Sequence, residues 1–295
     1  TSAYNYALTP RFGITHRASL SSEKHTYKDL APDSMWYTPL FSRTFPNKGT
    51  GYYSRGADSV IGIQKWVKAD TRVLFEGFAG KAGNQIRFSA GAGIRYDRFT
   101  AEPVTVPIPD TPFFAYSSDK TGYGSTYITG NIDKEALTPG AWAYGGHLML
   151  LTTGAYAGNL SVEGYIGKKL KKLDGSIKAG ASQQLGSAPY SLTNYQNAYV
   201  RKSFEFGNES ITRLYASAES RKLKMSGGVS GWLVSNYIYL SDEGLPKQYD
   251  GSYTVPQVWL RKIFRVGSFY LDNEIVYQPV ADGAPVNVPT VMGRH

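Results

Sequence analysis

The 295 residues hold four imidazoles, His16, His25, His147 and His295, and no cysteine accompanies them. Nucleophilic or general-base catalysis needs a base held against a nucleophile and an orienting group, so the supply is thin. His147 carries the one acid–base reading, because it falls in a strand-like stretch, Gly145 to Leu151, on the opposite parity from Leu148 and Leu150. A lone imidazole hydrogen-bonded to a neighbour is the plainer account of such a residue. Asp272 and Glu274 share a parity, as paired carboxylates would, but ion pairing with strand neighbours explains them as well. The glycines of AGAGIR (Gly91, Gly93) and GYGSTY (Gly122, Gly124) imitate a phosphate loop without opening a helix after a strand. Small residues at close strand contacts account for them. Asn159 and Asn208 begin Asn-X-Ser triplets with Ser161 and Ser210, yet both sit in turn dipeptides and carry no modification argument. Without cysteine there is no disulfide framework and no Cys-ligated zinc or iron site, and no cofactor or metal is implied.

What remains as chemistry is charge on one side of a pleat. Taking alternate residues, one parity carries Arg72, Arg87, Arg95, Lys169, Lys178, Arg201, Arg213, Arg261 and Arg265 against Glu76, Asp97, Glu163, Glu205, Glu219, Asp272 and Glu274. Lining a water-filled lumen, such a set focuses potential and sorts ions, with basic residues slightly ahead and so a mild anion preference. Packed as cross-strand ladders, the same residues hold strands in register. The two readings stand level on sequence.

The elements that must position these groups show period-two alternation. From Gln85 to Asp97 the apolar or small parity is Ile86, Phe88, Ala90, Ala92, Ile94 and Tyr96, while Gln85, Arg87, Ser89, Arg95 and Asp97 hold the other. Leu160 to Lys169 and Ser176 to Leu185 repeat it around Asp174-Gly175, and Val258 to Val266 and Phe269 to Gln278 around Gly267-Ser268, each pair predicting a hairpin. Further turn dipeptides at Gly83-Asn84, Pro139-Gly140, Gly158-Asn159 and Gly207-Asn208 divide the chain into about 13–14 strands. Longer connections are expected near 101–121, 186–194, 241–252 and 279–290, as when one rim carries loops and the other tight turns. Counted strictly, the 241–252 loop falls on the wrong rim, which points to a misdivision within Glu209 to Leu240.

Composition agrees with strands: 23 Tyr, 13 Phe, 5 Trp and 32 Gly favour pleated, aromatic-rich structure over helix. No apolar run reaches the length of a membrane-spanning helix, whereas barrel strands need only about 10 alternating residues. Strands longer than a sandwich uses, and aromatics near strand ends (Tyr96, Phe99, Tyr123, Tyr156, Tyr237, Tyr239, Tyr277), favour a membrane barrel with interfacial girdles over a soluble sandwich or propeller. The formal charge of +9 is spread singly, apart from Lys168-Lys169 and Lys171-Lys172, and no nucleic-acid-binding pattern is present.

The residues also carry a resemblance. Asn236-Tyr237-Ile238-Tyr239-Leu240, then Pro246 and Gln248, then Leu260-Arg261-Lys262-Ile263-Phe264 lead into Leu271-Asp272-Asn273-Glu274-Ile275-Val276-Tyr277-Gln278. With the opening Tyr6 to Phe12, His16-Arg17, Tyr27 and the segment Tyr190 to Phe206, this resembles the Bacteroidota putative porin family over most of the chain. The resemblance implies an outer-membrane barrel with a pore of unassigned solute and no catalytic motif. It also implies a last strand ending on an aromatic residue, whereas this chain ends Val291-Met292-Gly293-Arg294-His295. Either further strands lie beyond the C-terminus or the barrel departs from its family, and the odd strand count points to the first.

The expectation is therefore an all-β, antiparallel up-and-down transmembrane barrel of a bacterial outer membrane, residues 1–295 forming one domain of it, and not an enzyme. Its expected work is passive diffusion of small hydrophilic solutes. A structural or partner subunit of a larger outer-membrane assembly is the alternative, and a hydrolase built on His147 is a third. Outer-membrane lipid, lipopolysaccharide and other outer-membrane proteins are the expected partners, and nucleic acid is not.

Overall fold

A computed structural model describes residues 2–29, 60–81, 84–103, 119–196, 201–241, 245–281, 283–286 and 288–295. Eight strands come first: β1 (Ser2–Thr9), β2 (Phe12–Asp29), β3 (Val60–Ala79), β4 (Ile86–Pro103), β5 (Asp119–Lys134), β6 (Trp142–Leu151), β7 (Leu160–Leu170) and β8 (Gly175–Gly186). A short hairpin, β9 (Asn194–Gln196) and β10 (Arg201–Ser203), then precedes β11 (Glu209–Ser220) and β12 (Met225–Ser235). A second, β13 (Ile238–Leu240) and β14 (Pro246–Gln248), precedes β15 (Ser252–Val266), β16 (Phe269–Tyr277) and β17 (Val291–Arg294). The two short hairpins stand apart, and the other thirteen strands form one sheet in chain order, every neighbour antiparallel. Among the described residues β1 pairs only with β2 and β17 only with β16, so the sheet is not closed into a barrel. No helix there is long and apolar enough to cross a membrane, which says nothing of strands.

The connections sort by rim. Residues 10–11, 80–85, 135–141, 171–174, 221–224 and 267–268 link strands on one side, while 30–59, 104–118, 152–159, 187–208, 236–251 and 278–290 link them on the other. This corrects the strand division of Glu209 to Leu240: β11 ends at Ser220, and Arg221-Lys222-Leu223-Lys224 turns the chain into β12. The 236–251 connection then joins the other long ones. The turn was hidden because it uses no Gly, Pro, Asn or Asp; it closes instead with Lys224 at φ +48°, Lys224 N–H donating to Arg221 O (3.1 Å) and Leu223 N–H to Ser220 Oγ (3.1 Å). Gly207-Asn208 makes no hairpin turn between sheet neighbours, and Gly83 lies outside the described residues.

Register carries the alternation across the sheet. Val73, Ala92, Ile128, Leu150, Leu160 and Leu185 form one cross-strand row on one face. Glu76, Ser89, Asn131, His147, Glu163, Ser182 and Arg213 form another on the opposite face. The apolar face is the open one: Ile94 (57% exposed), Leu214 (62%) and Ile275 (53%) are typical, while a buried cluster inside amounts to Tyr127, Leu151 and Tyr156 with Met149. So much contiguous exposed apolar surface is far beyond what a soluble monomer tolerates.

The aromatics expected at girdles divide between the faces. Tyr96 and Tyr277 lie exposed on the apolar face, but Phe99, Tyr123 and Tyr156 fall on the other side, because their strand parity is that of Arg95 and Asp97 or because they sit in a connection. There Tyr190, from the 187–208 connection, packs edge-on to Phe99 (5.2 Å) and against Tyr123 (5.0 Å), and Tyr123 meets Tyr156 (6.2 Å). Its hydroxyl hydrogen-bonds Thr121 Oγ1 at 3.0 Å. A connection leaving β8 thus folds over the polar face onto β4 and β5. Burial pushes the Tyr156 phenol above its ordinary pKa, keeping it neutral in this cluster.

Candidate functional site

The polar face is the candidate site, and it gathers every charged residue of the expected set except two. Arg201 lies in the separate β9–β10 hairpin with its side chain outside the described residues, and Glu205 lies in the irregular 204–208 stretch. Parity assigns neither a face, since neither belongs to the large sheet. The others divide by partner. Arg95 Nε meets Asp97 Oδ2 at 2.6 Å, and the same carboxylate accepts Trp66 Nε1–H at 3.1 Å. Arg261 grips Asp272 with Nε at 2.8 Å and Nη2 at 2.5 Å, Glu274 pairs with Arg294 at 2.6 Å, and Arg87 pairs with Glu135. Glu76 accepts from Arg17 (3.0 Å) and Thr15 Oγ1 (2.6 Å), and Glu219 from Ser176 Oγ (3.1 Å). Apart from Arg95–Asp97, which share β4, these contacts tie one strand to a neighbouring strand or connection. Lys169 Nζ donates to Leu137 O at 3.4 Å, while Arg72 and Arg265 lie on the same face without an ion pair among the described residues.

Lys178 and Arg213 likewise pair with no carboxylate among the described residues, and they differ in lying over rings. Lys178 Nζ stands 3.8 Å from the Tyr165 centroid, and the Arg213 guanidinium stands 4.8 Å from Tyr215 and 4.5 Å from Trp232. Cations on aromatic faces keep a full charge available to a solute.

A repeated arrangement, invisible to composition, flattens the tyrosines against this face. Tyr127 on β5 lies over Gly93 on β4 and donates to Asp70 on β3 (2.9 Å). Tyr165 on β7 lies over Gly145 on β6 and donates to Asp133 on β5 (2.5 Å). Tyr215 on β11 lies over Gly180 on β8 and donates to Glu163 on β7 (3.1 Å). Each ring needs a glycine beneath it: a Cβ at Gly180 would sit 2.6 Å from Tyr215 Cζ. The Gly180→Val variant should therefore lose about 1–3 kcal/mol by displacing the ring and its hydrogen bond, read as a lower urea midpoint of the lipid-folded protein.

The face and its fold can now be set beside known proteins. The putative porin family model matches residues 3–295. The chain belongs to the putative porin family. No curated protein matches it. Among solved structures, the copper transporter OprC aligns with TM-score 0.62 and 10% identity over 96% of this chain and 47% of its own. The siderophore receptor PirA from Pseudomonas aeruginosa aligns with 0.51 and 12% over 94% and 55%. The ferric enterobactin receptor PfeA from the same organism gives 0.51 and 11% over 94% and 51%. At these identities the likeness is one of fold. This porin-family chain spans about half the length of the structures it matches. Family and fold together support an outer-membrane β-barrel channel.

His147 lies on the polar face. Its Nδ1 meets Asn131 Oδ1 at 2.6 Å, and the Asn131 amide donates to Ser89 Oγ at 3.1 Å. The amide stands between imidazole and hydroxyl, so the base does not touch the nucleophile as acyl transfer would require. His16, on the opposite face, bonds Thr71 Oγ1 at 2.8 Å, and the His25 side chain lies outside the described residues.

Proposed function

We propose that this chain forms the wall of an outer-membrane channel through which small hydrophilic solutes diffuse passively, with mild preference for anions. The observation that carries the reading is the pair Lys178 and Arg213, held on Tyr165, Tyr215 and Trp232 without carboxylate partners, on a polar face whose reverse is exposed apolar surface. Flattened tyrosines and the paired Arg–carboxylate ladders line the lumen without crossing it, and the 187–208 connection narrows it at the long-connection rim. The charges that remain unpaired set the field that a permeating ion meets. In a bilayer the backbone groups along the outer edges of β1 and β17 have no water to satisfy them, so in the channel both edges are paired.

Those two edges favour a second reading, in which the sheet joins a larger outer-membrane assembly and serves as a structural or partner subunit. Pull-down from native membranes separates the readings: recovery of this protein alone removes the assembly. For the channel, protein purified from outer membranes should conduct in planar bilayers under a salt gradient, with a reversal potential on the anion side. The Lys178→Gln/Arg213→Gln variant should conduct with that preference reduced, Arg72 and Arg265 remaining on the face. Absence of conductance overturns the proposal.

A further inference from the structure

On the apolar face, β8, β11 and β12 present small side chains where their neighbours present large ones. Ala179, Ala216, Ala218 and Gly227 floor a groove of about 450 Å³ bounded by Ile166, Ile177 and Val229. Trp142 and Lys168 line one end, the Lys168 ammonium 5.0 Å from the Trp142 centroid. That end faces the short-connection rim, where two turns interlock. Arg221 N–H donates to Asp174 O (3.0 Å) and Ser220 Oγ to Leu173 O (2.7 Å), while Lys262 on β15 reaches Leu223 O. The interlock brings Lys171 and Lys172 beside Arg221, Lys222 and Lys224, all exposed, and none of these five has an ion-pair partner among the described residues. Asp174 is the acid in either turn. The other short turns hold no such concentration: 10–11 contributes Arg11 alone and 267–268 no charge.

An apolar groove that opens beneath a dense, unneutralised cationic rim matches a molecule with an anionic head and a hydrocarbon tail. Short turns mark the periplasmic side of an outer-membrane barrel, where the leaflet is phospholipid. We infer that this groove holds one anionic glycerophospholipid of the inner leaflet. Its phosphate lies against Lys168 and the basic turns, and one acyl chain lies over Ala179, Ala216, Ala218 and Gly227. Trp142 sits at headgroup depth, and Lys168 lays its methylenes along the groove while its charge reaches the phosphate. The inference rests on the outer-membrane reading above.

The test is native mass spectrometry of protein purified from its outer membranes and offered phosphatidylglycerol, mass-shifted phosphatidylcholine and lipopolysaccharide in equal amounts. Phosphatidylglycerol adducts should exceed phosphatidylcholine adducts by about fivefold. Lys168→Gln/Lys171→Gln/Lys222→Gln should bring the two to parity, and Ala218→Phe, which fills the groove from the lipid side, should lower both. Wild-type protein that inserts into vesicles yet shows no preference, or prefers lipopolysaccharide, overturns the lipid site and leaves the channel standing. Wild-type protein that fails to insert overturns both.

Discussion

Replacing Ile128 by arginine should weaken folding into phospholipid vesicles by about 2–4 kcal/mol, the cost of a guanidinium at mid-depth on a lipid-facing strand. Ile128 is 45% exposed, sits beside Ala92 and Leu150 in the apolar row, and has Ile132, toward the short-connection rim, on the same face. The same substitution at Ser182, which stands between Glu163 and Arg213 on the polar side, should cost less than about 1 kcal/mol, the new cation meeting a carboxylate on one strand and a like charge on the other. Urea titration of the vesicle-folded protein, followed by heat-modifiable gel migration, gives both values in one series. Equal costs at the two positions would mean that the faces do not meet different solvents.

The Asp97→Ala variant should lose about 3–5 kcal/mol, because its carboxylate is 3% exposed and removing it strands two donors. Arg95 Nη2 and Trp66 Nε1 both donate to Asp97 Oδ1 at 3.1 Å, so alanine leaves a guanidinium and an indole N–H without that acceptor in a half-buried layer of the polar face. Asp97→Asn keeps a carbonyl oxygen in the place of Oδ1, the atom that accepts from both, and should lose distinctly less. The same urea titration reads the difference. Similar stability for the alanine variant and wild type would show that the Arg95–Asp97–Trp66 contact contributes little.

The sequence yielded its faces more fully than its connections, and the reason is geometric. A pleat has a period of two whatever the strand pairs with, so Arg87, Arg95 and Asp97 could be assigned the side opposite Ile86, Ile94 and Tyr96 without knowing a single partner. Register is different: that Tyr215 covers Gly180 and reaches Glu163 depends on which residues stand opposite, and spacing along one strand does not contain that. The Arg221–Lys224 turn was missed because its left-handed residue is a lysine, where turn chemistry leads one to look for Gly, Asn or Asp. Alternation alone extends a strand through Arg201 and Glu205, whereas that segment leaves the sheet. The inward packing of Tyr190 is a contact between residues 69 apart in sequence at Thr121, and no local pattern announces it.

The absence of cysteine gives a clean background for the most direct test, which is to place single cysteines at alternate positions of β7, β8 and β11 and label the protein in native membranes with a charged, membrane-impermeant maleimide. The account predicts reaction at 163, 182 and 217, whose side chains share the polar face, and none at 166, 181 and 214, which face lipid. Labelling at both sets alike, or at the apolar set alone, would contradict it.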